Sequence, residues 1–406
     1  MRRFFTWVFV VVSLTLVVSA VGLAEQVELE VWFSDFNKNT QEWIAQDLVP
    51  AFEREHPNIK LNVVYVTWGE FNQKLKTQIA AGMSPDIFQG GSTFRGQAGA
   101  QGFGMNIDKY TKDWPDKQAF FPGAWDAVVW EGSDYGIPSL TAPRTIIYRS
   151  DLMAEGGFDP STNPTDWDEV FAAAMKLSRV TGDGKPLRWG FNVLKANVDF
   201  WMSLTLQNGG QIVSHDGSQP LFATPEGEEA ALWYYEFYQA QAAYGGALPA
   251  GGFANGAYVM EWANGKKVAD TIIVNPQLEG DIRVGYPMKR KLQVAPTYTD
   301  SLFMAAETKH PDEAWEFLKF FGSAENLMKY NETLGYLPPR QDAMRSSFLA
   351  QYPHLKDTFE RVMPYAVGRP TAASWAPVTA AINAIFTGSV TPQNAFLNAV
   401  AAWQTF

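Results

Sequence analysis

The stretch LEVWFSDFNKNTQEWIAQDLVPAFEREHPNIKLNVVYVTWGEFNQKLKTQIAAGMSPDIF, residues 29–88, reads as strand, helix, strand, helix, strand. Leu29, Val31 and Phe33 give a first apolar alternation. A helical stripe of Trp43, Ile44, Leu48, Ala51 and Phe52 follows. His56-Pro57 stops it, because proline cannot extend the ladder and restricts the residue before it. Ile59, Leu61, Val63 and Tyr65 alternate again as a second strand. Thr67-Trp68-Gly69-Glu70 has the spacing of a capping box, with Val66 and Phe71 placed to staple it. Phe71, Leu75 and Ile79 share one helical stripe, Gly82 ends it, and Ser84 to Phe88 opens the next strand. Strands separated by helices imply a parallel sheet with right-handed crossovers. Such sheets bind ligands beyond the carboxyl ends of their strands, so Phe33–Asn37 and Gln89–Arg95 are the first places to look for a site.

The chain has 406 residues, more than one core usually serves, which makes two domains the expectation. Residues 1–24 read as a secretory signal: Arg2 and Arg3 lead an apolar run from Phe4 to Val18, and Gly22-Leu23-Ala24 supplies the small residues of a cleavage site. The run is short for a membrane span. The formal charge is −11, and removing that segment, whose only charges are Arg2 and Arg3, leaves −13. An acidic exported chain is a poor fit to nucleic acid or anionic lipid. There is no cysteine, which excludes disulfides, thiolate metal sites and a lipidated cysteine at the cleavage point. With 15 Trp, 15 Tyr and 28 Phe, the chain holds enough rings to fill its cores and still keep flat apolar faces for a ligand.

Further along, Gly90-Gly91-Ser92-Thr93 offers backbone amides and hydroxyls at a strand end. Ala98 to Tyr110 reads as a short helix and turn, and Trp125 to Trp130 as an apolar patch. Pro138 to Pro143 is extended and stiff, a first crossing between lobes, with Thr145 to Tyr148 a strand beyond it. Thr165-Asp166-Trp167-Asp168 caps a helix that runs toward Gly182, Thr224-Pro225 opens a long one, and Ala257 to Met260 is a strand with Glu261-Trp262 at its carboxyl end. Ala295 to Ser301 brings the chain back, ahead of a strand from Leu302 to Ala306. Helices follow from His310, Ser323, near Val378 and from Thr391.

Several of these stretches together resemble the extracellular sugar-binding proteins of bacterial ABC importers, the maltose-binding-protein-like group. Phe52 to Ile59 resembles the family's helix end and second strand. Ala80-Ala81-Gly82 through Pro85-Asp86-Ile87-Phe88 is similar to its "AG…PDvf" element. Tyr135-Gly136-Ile137-Pro138 with Ile147-Tyr148 resembles the segment entering the second lobe. Trp167-Asp168-Glu169, Phe253 to Met260 with Trp262, and Lys309-His310-Pro311 to Phe317-Leu318 match three more elements in order. The resemblance implies a type II periplasmic-binding-protein fold of α/β class: two lobes, each a mixed, mainly parallel sheet flanked by helices, with the ligand in the cleft between them. The expected limits are 25–139 with 297–345 for the N-terminal lobe and 140–296 with 346–406 for the C-terminal lobe. Two departures bear on the ligand. Tyr148-Arg149-Ser150 stands where Tyr-Asn-Lys is usual, and Thr299-Asp300-Ser301 stands where a Gly-Gly pair is usual.

The ligand-binding residues expected on these grounds are Trp32, Asp35, Ser92, Arg144, Trp201, Glu261, Trp262, Tyr298, Asp300, Tyr336 and Trp375. Aromatic faces cover the apolar side of a sugar ring, while carboxylates, arginines and hydroxyls satisfy its hydroxyls. The competing reading of the tryptophans is core, and that of Arg144 a surface ion pair. No zinc-protease helix, nucleophile elbow or phosphate loop appears, and the four histidines are dispersed. The expectation is a monomeric periplasmic component of an importer, without cofactor or metal. It captures a monosaccharide, oligosaccharide or polyol and presents it to membrane permease subunits. The alternatives are the same fold holding a sugar phosphate or acidic sugar, for which Arg95, Arg144 or Arg369 would serve, and a secreted glycan-cleaving enzyme with paired carboxylates.

Overall fold

The structure, a computed structural model, describes residues 26–244, 251–345 and 347–405. The expected signal, residues 1–24, lies outside the described residues. The strands are β1 (Val27–Ser34), β2 (Ile59–Val66), β3 (Ile87–Gly90), β4 (Val129–Trp130), β5 (Ser133–Asp134), β6 (Gly136–Pro143), β7 (Thr145–Arg149), β8 (Arg179–Val180), β9 (Pro186–Asn192), β10 (Tyr258–Ala263), β11 (Ile282–Val284), β12 (Ala295–Met304) and β13 (Ala366–Gly368).

The opening stretch folds as its pattern dictates. β1 pairs in parallel with β2 along its full length and with β3 on its other side, through the helix-bearing crossovers. The first crossover helix is not uniform. Lys38–Trp43 and Val49–Glu55 flank a widened turn, Ile44–Leu48, in which the Val49 N–H reaches back to the Ile44 carbonyl. Pro50 has no N–H to continue the ladder, and one wide turn absorbs that loss. The capping box forms only in part. The Thr67 hydroxyl bonds the Glu70 carboxylate at 2.8 Å instead of the backbone of the first turn.

The first sheet runs β2-β1-β3-β12-β13, with β6 also on β12; the second runs β11-β7-β10-β9-β8. Both are mixed. In the second sheet only β9 and β10 pair in parallel: β7 leaves the crossing antiparallel to both of its neighbours, β10 and β11, and β8 is antiparallel to β9. Two separate cores match the two sheets. One joins Phe33, Phe52, Phe88, Phe303 and Phe317; the other joins Trp167, Phe191, Trp201, Tyr234 and Phe396.

β6 and β12 carry the chain between the cores. They pair antiparallel from Gly136 opposite Phe303 to Pro143 opposite Thr297, with a register shift between Asp300 and Ser301. The return crossing and the strand after it, read separately in the sequence, are one uninterrupted strand. Three other expectations move. β10 runs on to Ala263, so Glu261 and Trp262 lie inside it. The helix capped by Asp166 stops at Leu177, where the Ser178 hydroxyl bonds the Ala174 carbonyl and accepts the Gly190 N–H. Between Phe94 and Thr111 two short helices, Phe94–Gly99 and Asp108–Thr111, replace the single one expected at Ala98 to Tyr110.

Candidate functional site

The site grows from the junction of the two crossing strands with β10. Arg144 lies in the link between β6 and β7, its backbone N–H tied to the Pro296 carbonyl of β12. Its guanidinium carbon stands 5.6 Å from the centre of the Trp262 ring and 5.0 Å from that of Tyr298. Arg369, just beyond β13, lies 5.2 Å from Tyr298 and 5.2 Å from Trp375. Ring, cation, ring, cation and ring therefore alternate from Trp262 to Trp375. Cation–π contacts of this kind contribute roughly 0.5–2 kcal/mol each. Arg369 is neutralised by Asp199, Nη2 to Oδ1 at 2.8 Å. Nε of Arg144 and Nε1 of both Trp262 and Trp375 are buried without a hydrogen-bond partner. In a core, unpaired donors of this kind are costly, and so many on one wall mark a surface that meets a polar ligand.

Tyr298 and Asp300 share one face of β12, opposite Ala142 and Leu140. Burial pushes the Asp300 carboxyl up to about 7, and the Tyr298 hydroxyl above its ordinary range. Asp300 faces Gly91: a β-carbon there would come within 3.5 Å of the Asp300 carboxylate and 3.2 Å of the Trp68 ring. Glycine at 91 is what lets ring and carboxylate converge. Trp68 is 45% exposed and stacks on Phe36 at 6.0 Å. Tyr336 follows Gly335, whose left-handed backbone (φ 74°) ends the helix Ala324–Leu334, and it feels both Asp300 and Arg144. It links the two ends of the site.

The structure thus brings together Arg144, Trp262, Tyr298, Asp300, Tyr336 and Trp375. It places the others elsewhere. Trp32 is 3% exposed, with Phe71 edge-on and its Nε1 on Glu30. Trp201 is fully buried against Phe396, its Nε1 on the Gly227 carbonyl. Both fill cores, because their strand or helix turns them inward. The Ser92 hydroxyl is consumed by the backbone of Thr299, accepting its N–H at 2.7 Å and donating to its carbonyl at 3.1 Å. Glu261 opposes Ile147 and so lies on the face of β10 away from Trp262, with Lys267 at 3.3 Å. Burial raises its carboxyl and Lys267 partly offsets this. Asp35 is exposed at the end of β1. Arg95 is held by Asp126. Sequence reasoning missed Trp68 and Asp199. Trp68 directly follows β2, a carboxyl end that the open-sheet rule already indicates. Asp199 had no such signal. A space of about 1200 Å³ also opens beside the site, between Asn37–Asn39, Glu332–Gly335 and the helix Lys266–Val274. It contains none of the stacked residues. Among the described residues no cluster of three or more metal-ligating side chains occurs.

Residues 37–328 match the bacterial extracellular solute-binding protein family. The chain belongs to that family. It is accordingly a binding protein and not an enzyme, and its place of work is outside the cytoplasm. A binding protein of Brucella abortus (strain 2308) is 26% identical over 396 residues, covering 93% of each chain. The maltotriose-binding protein of Pyrococcus abyssi is 23% identical, covering 84% of this chain and 74% of that one. Among solved structures, the sugar-binding protein MalE of Xanthomonas citri superposes with a TM-score of 0.80 at 20% identity, covering 93% of this chain and 96% of that one. The likeness in structure gives the two-lobed fold.

Proposed function

We propose that this family member is the carbohydrate-binding component of an ABC importer. It captures a sugar or polyol between its lobes and hands it to the membrane permease. The observation that carries the reading is the wall of alternating rings and cations from Trp262 to Trp375, with buried donors left unpaired and Asp300 on the same face of β12 as Tyr298. Flat rings cover the apolar side of a pyranose, and directed polar groups meet its hydroxyls. A hydroxyl pointed the wrong way strands a polar group at a cost of about 1–3 kcal/mol, which supplies epimer selectivity. The relatives named for maltotriose and for sugar binding favour a saccharide over other solutes. We place the mature chain, freed of residues 1–24, in the periplasm as a monomer without a lipid anchor.

The test is intrinsic tryptophan fluorescence during titration with neutral sugars, polyols, sugar acids, sugar phosphates and amino acids, with product analysis on the same samples. Saturable quenching by a sugar recovered intact is the expected result. Fragments appearing, or a response to amino acids alone, would overturn the reading.

A further inference from the structure

Three arginines stand where a ligand's acid group could be met, and the structure distinguishes them. Arg95 is paired with Asp126, whose backbone carbonyl and carboxylate both accept from its Nη1, so although its buried Nε is also unpaired its charge is already compensated. Arg369 is closed off by Asp199. Among the described residues no carboxylate lies within ion-pair distance of Arg144 and no side-chain hydrogen bond reaches it, and its buried Nε is unpaired. The acids around it are engaged or distant. Asp199 is spent on Arg369, and Glu261 points to the far face of β10 beside Lys267. Asp300 is shifted by burial alone, without a cation lowering it, so it does not serve as the counterion of Arg144.

A half-buried guanidinium flanked by two rings keeps part of its solvation through cation–π contact, but within its planar fork of donors the buried Nε has no acceptor. That fork matches a carboxylate in two parallel hydrogen bonds, whereas a neutral hydroxyl meets one donor at a time. A phosphate dianion calls for several cations, and the second guanidinium on the Tyr298 ring, Arg369, is already neutralised by Asp199. We propose that Arg144 is the specificity residue of the site and that the ligand is an acidic saccharide whose carboxylate seats on it. This rests on the carbohydrate reading above and narrows it.

The experiment is calorimetric titration of the full chain with glucuronate, galacturonate and digalacturonate, against glucose, galactose and maltose, and against the hexose 6-phosphates. One uronate is expected to bind at least about tenfold tighter than its neutral counterpart, the usual size of a charge-assisted pair. Added salt weakens that preference. In Arg144→Gln the ratio falls toward one, and Arg144→Lys keeps part of it. Circular dichroism checks the fold of each variant. If Arg144→Gln does not fold, the wild-type ratio and Arg144→Lys decide. Equal or tighter binding of neutral sugars overturns the inference while leaving the carbohydrate reading intact. So does preference for a hexose phosphate, or a uronate preference that survives in Arg144→Gln. No binding by any saccharide overturns both.

Discussion

Asp300 shows how a residue proposed to bind ligand weighs on its own fold. Its carboxyl, raised by burial from 3.8 to about 7, keeps a proton in the native state that the unfolded chain has already released. The residue therefore costs nothing below pH 4, and stability declines as pH rises from about 4 to about 7. Asp300→Asn removes that decline. The variant should match the parent near pH 4 and exceed it at pH 8 in urea midpoints, while binding its sugar more weakly. Equal midpoints at pH 8 would show that the carboxylate is solvated. Trp262→Ala should lower sugar affinity by tenfold or more, since the ring lies against both Arg144 and the second core. It should also cost about 3 kcal/mol of stability, because Trp262 is only 9% exposed and leaves a cavity against Phe200. Unchanged affinity for both variants would remove the site assignment.

At the scale of elements, two packings are exposed to single changes. The helix Trp167–Leu177 lies so close to β9 that a β-carbon on Gly190 would stand 2.0 Å from the Ala174 carbonyl oxygen. Backbone on both sides leaves nothing to rotate away. Gly190→Ala should cost on the order of 2–4 kcal/mol, visible as a lowered thermal midpoint, and a silent substitution would mean that the helix can slide. The helix Pro353–Arg361 docks on β11 through Arg283 and Asp357, at 2.9 Å. Its His354 is held down to about 4 by burial, with Asp357 opposing. Here the unfolded chain takes a proton near pH 6.5 that the native state refuses. The residue's contribution is intact above pH 6.5 and lost as pH falls toward 4. His354→Gln should flatten that acid limb of the stability profile, and an unaltered limb would assign it to other groups.

The whole molecule is two cores joined by an antiparallel pair, β6 and β12, that belongs to the first sheet and leads directly into the second. Its register shift at Asp300 and Ser301 falls inside the site, so bending of the pair and occupation of the site act on the same residues. Contacts already reach between the lobes: the His215 ring nitrogen lies 3.2 Å from Asp126, which itself holds Arg95. Ligand that binds only the folded chain at a hundred times its dissociation constant should add about 2.7 kcal/mol of stability. If binding closes the lobes, small-angle scattering should show a smaller radius of gyration in the same titration. Stabilisation without compaction would place the ligand on one lobe alone.

The α/β character, the places where most helices begin and the family resemblance were all legible along the chain. They rest on local rules: apolar period, caps such as Asn197, Ser323 and Thr391, and prolines that open helices at Pro225, Pro311 and Pro392. The polar returns at Arg144 and Asp300 were also legible, because the crossings are stiff and polar where a strand should be apolar. Which tryptophan faces the cleft was not. Trp32, Trp201 and Trp262 all sit in regular elements with apolar neighbours, and only the packing of each element on its sheet turns two inward and leaves the third against Arg144. The same holds for Glu261, sent to the opposite face by one step of strand alternation, and for Arg95 and Arg369. Their counterions lie 31 and 170 residues away in the chain, and long-range folding alone brings them together, leaving Arg144 uncompensated.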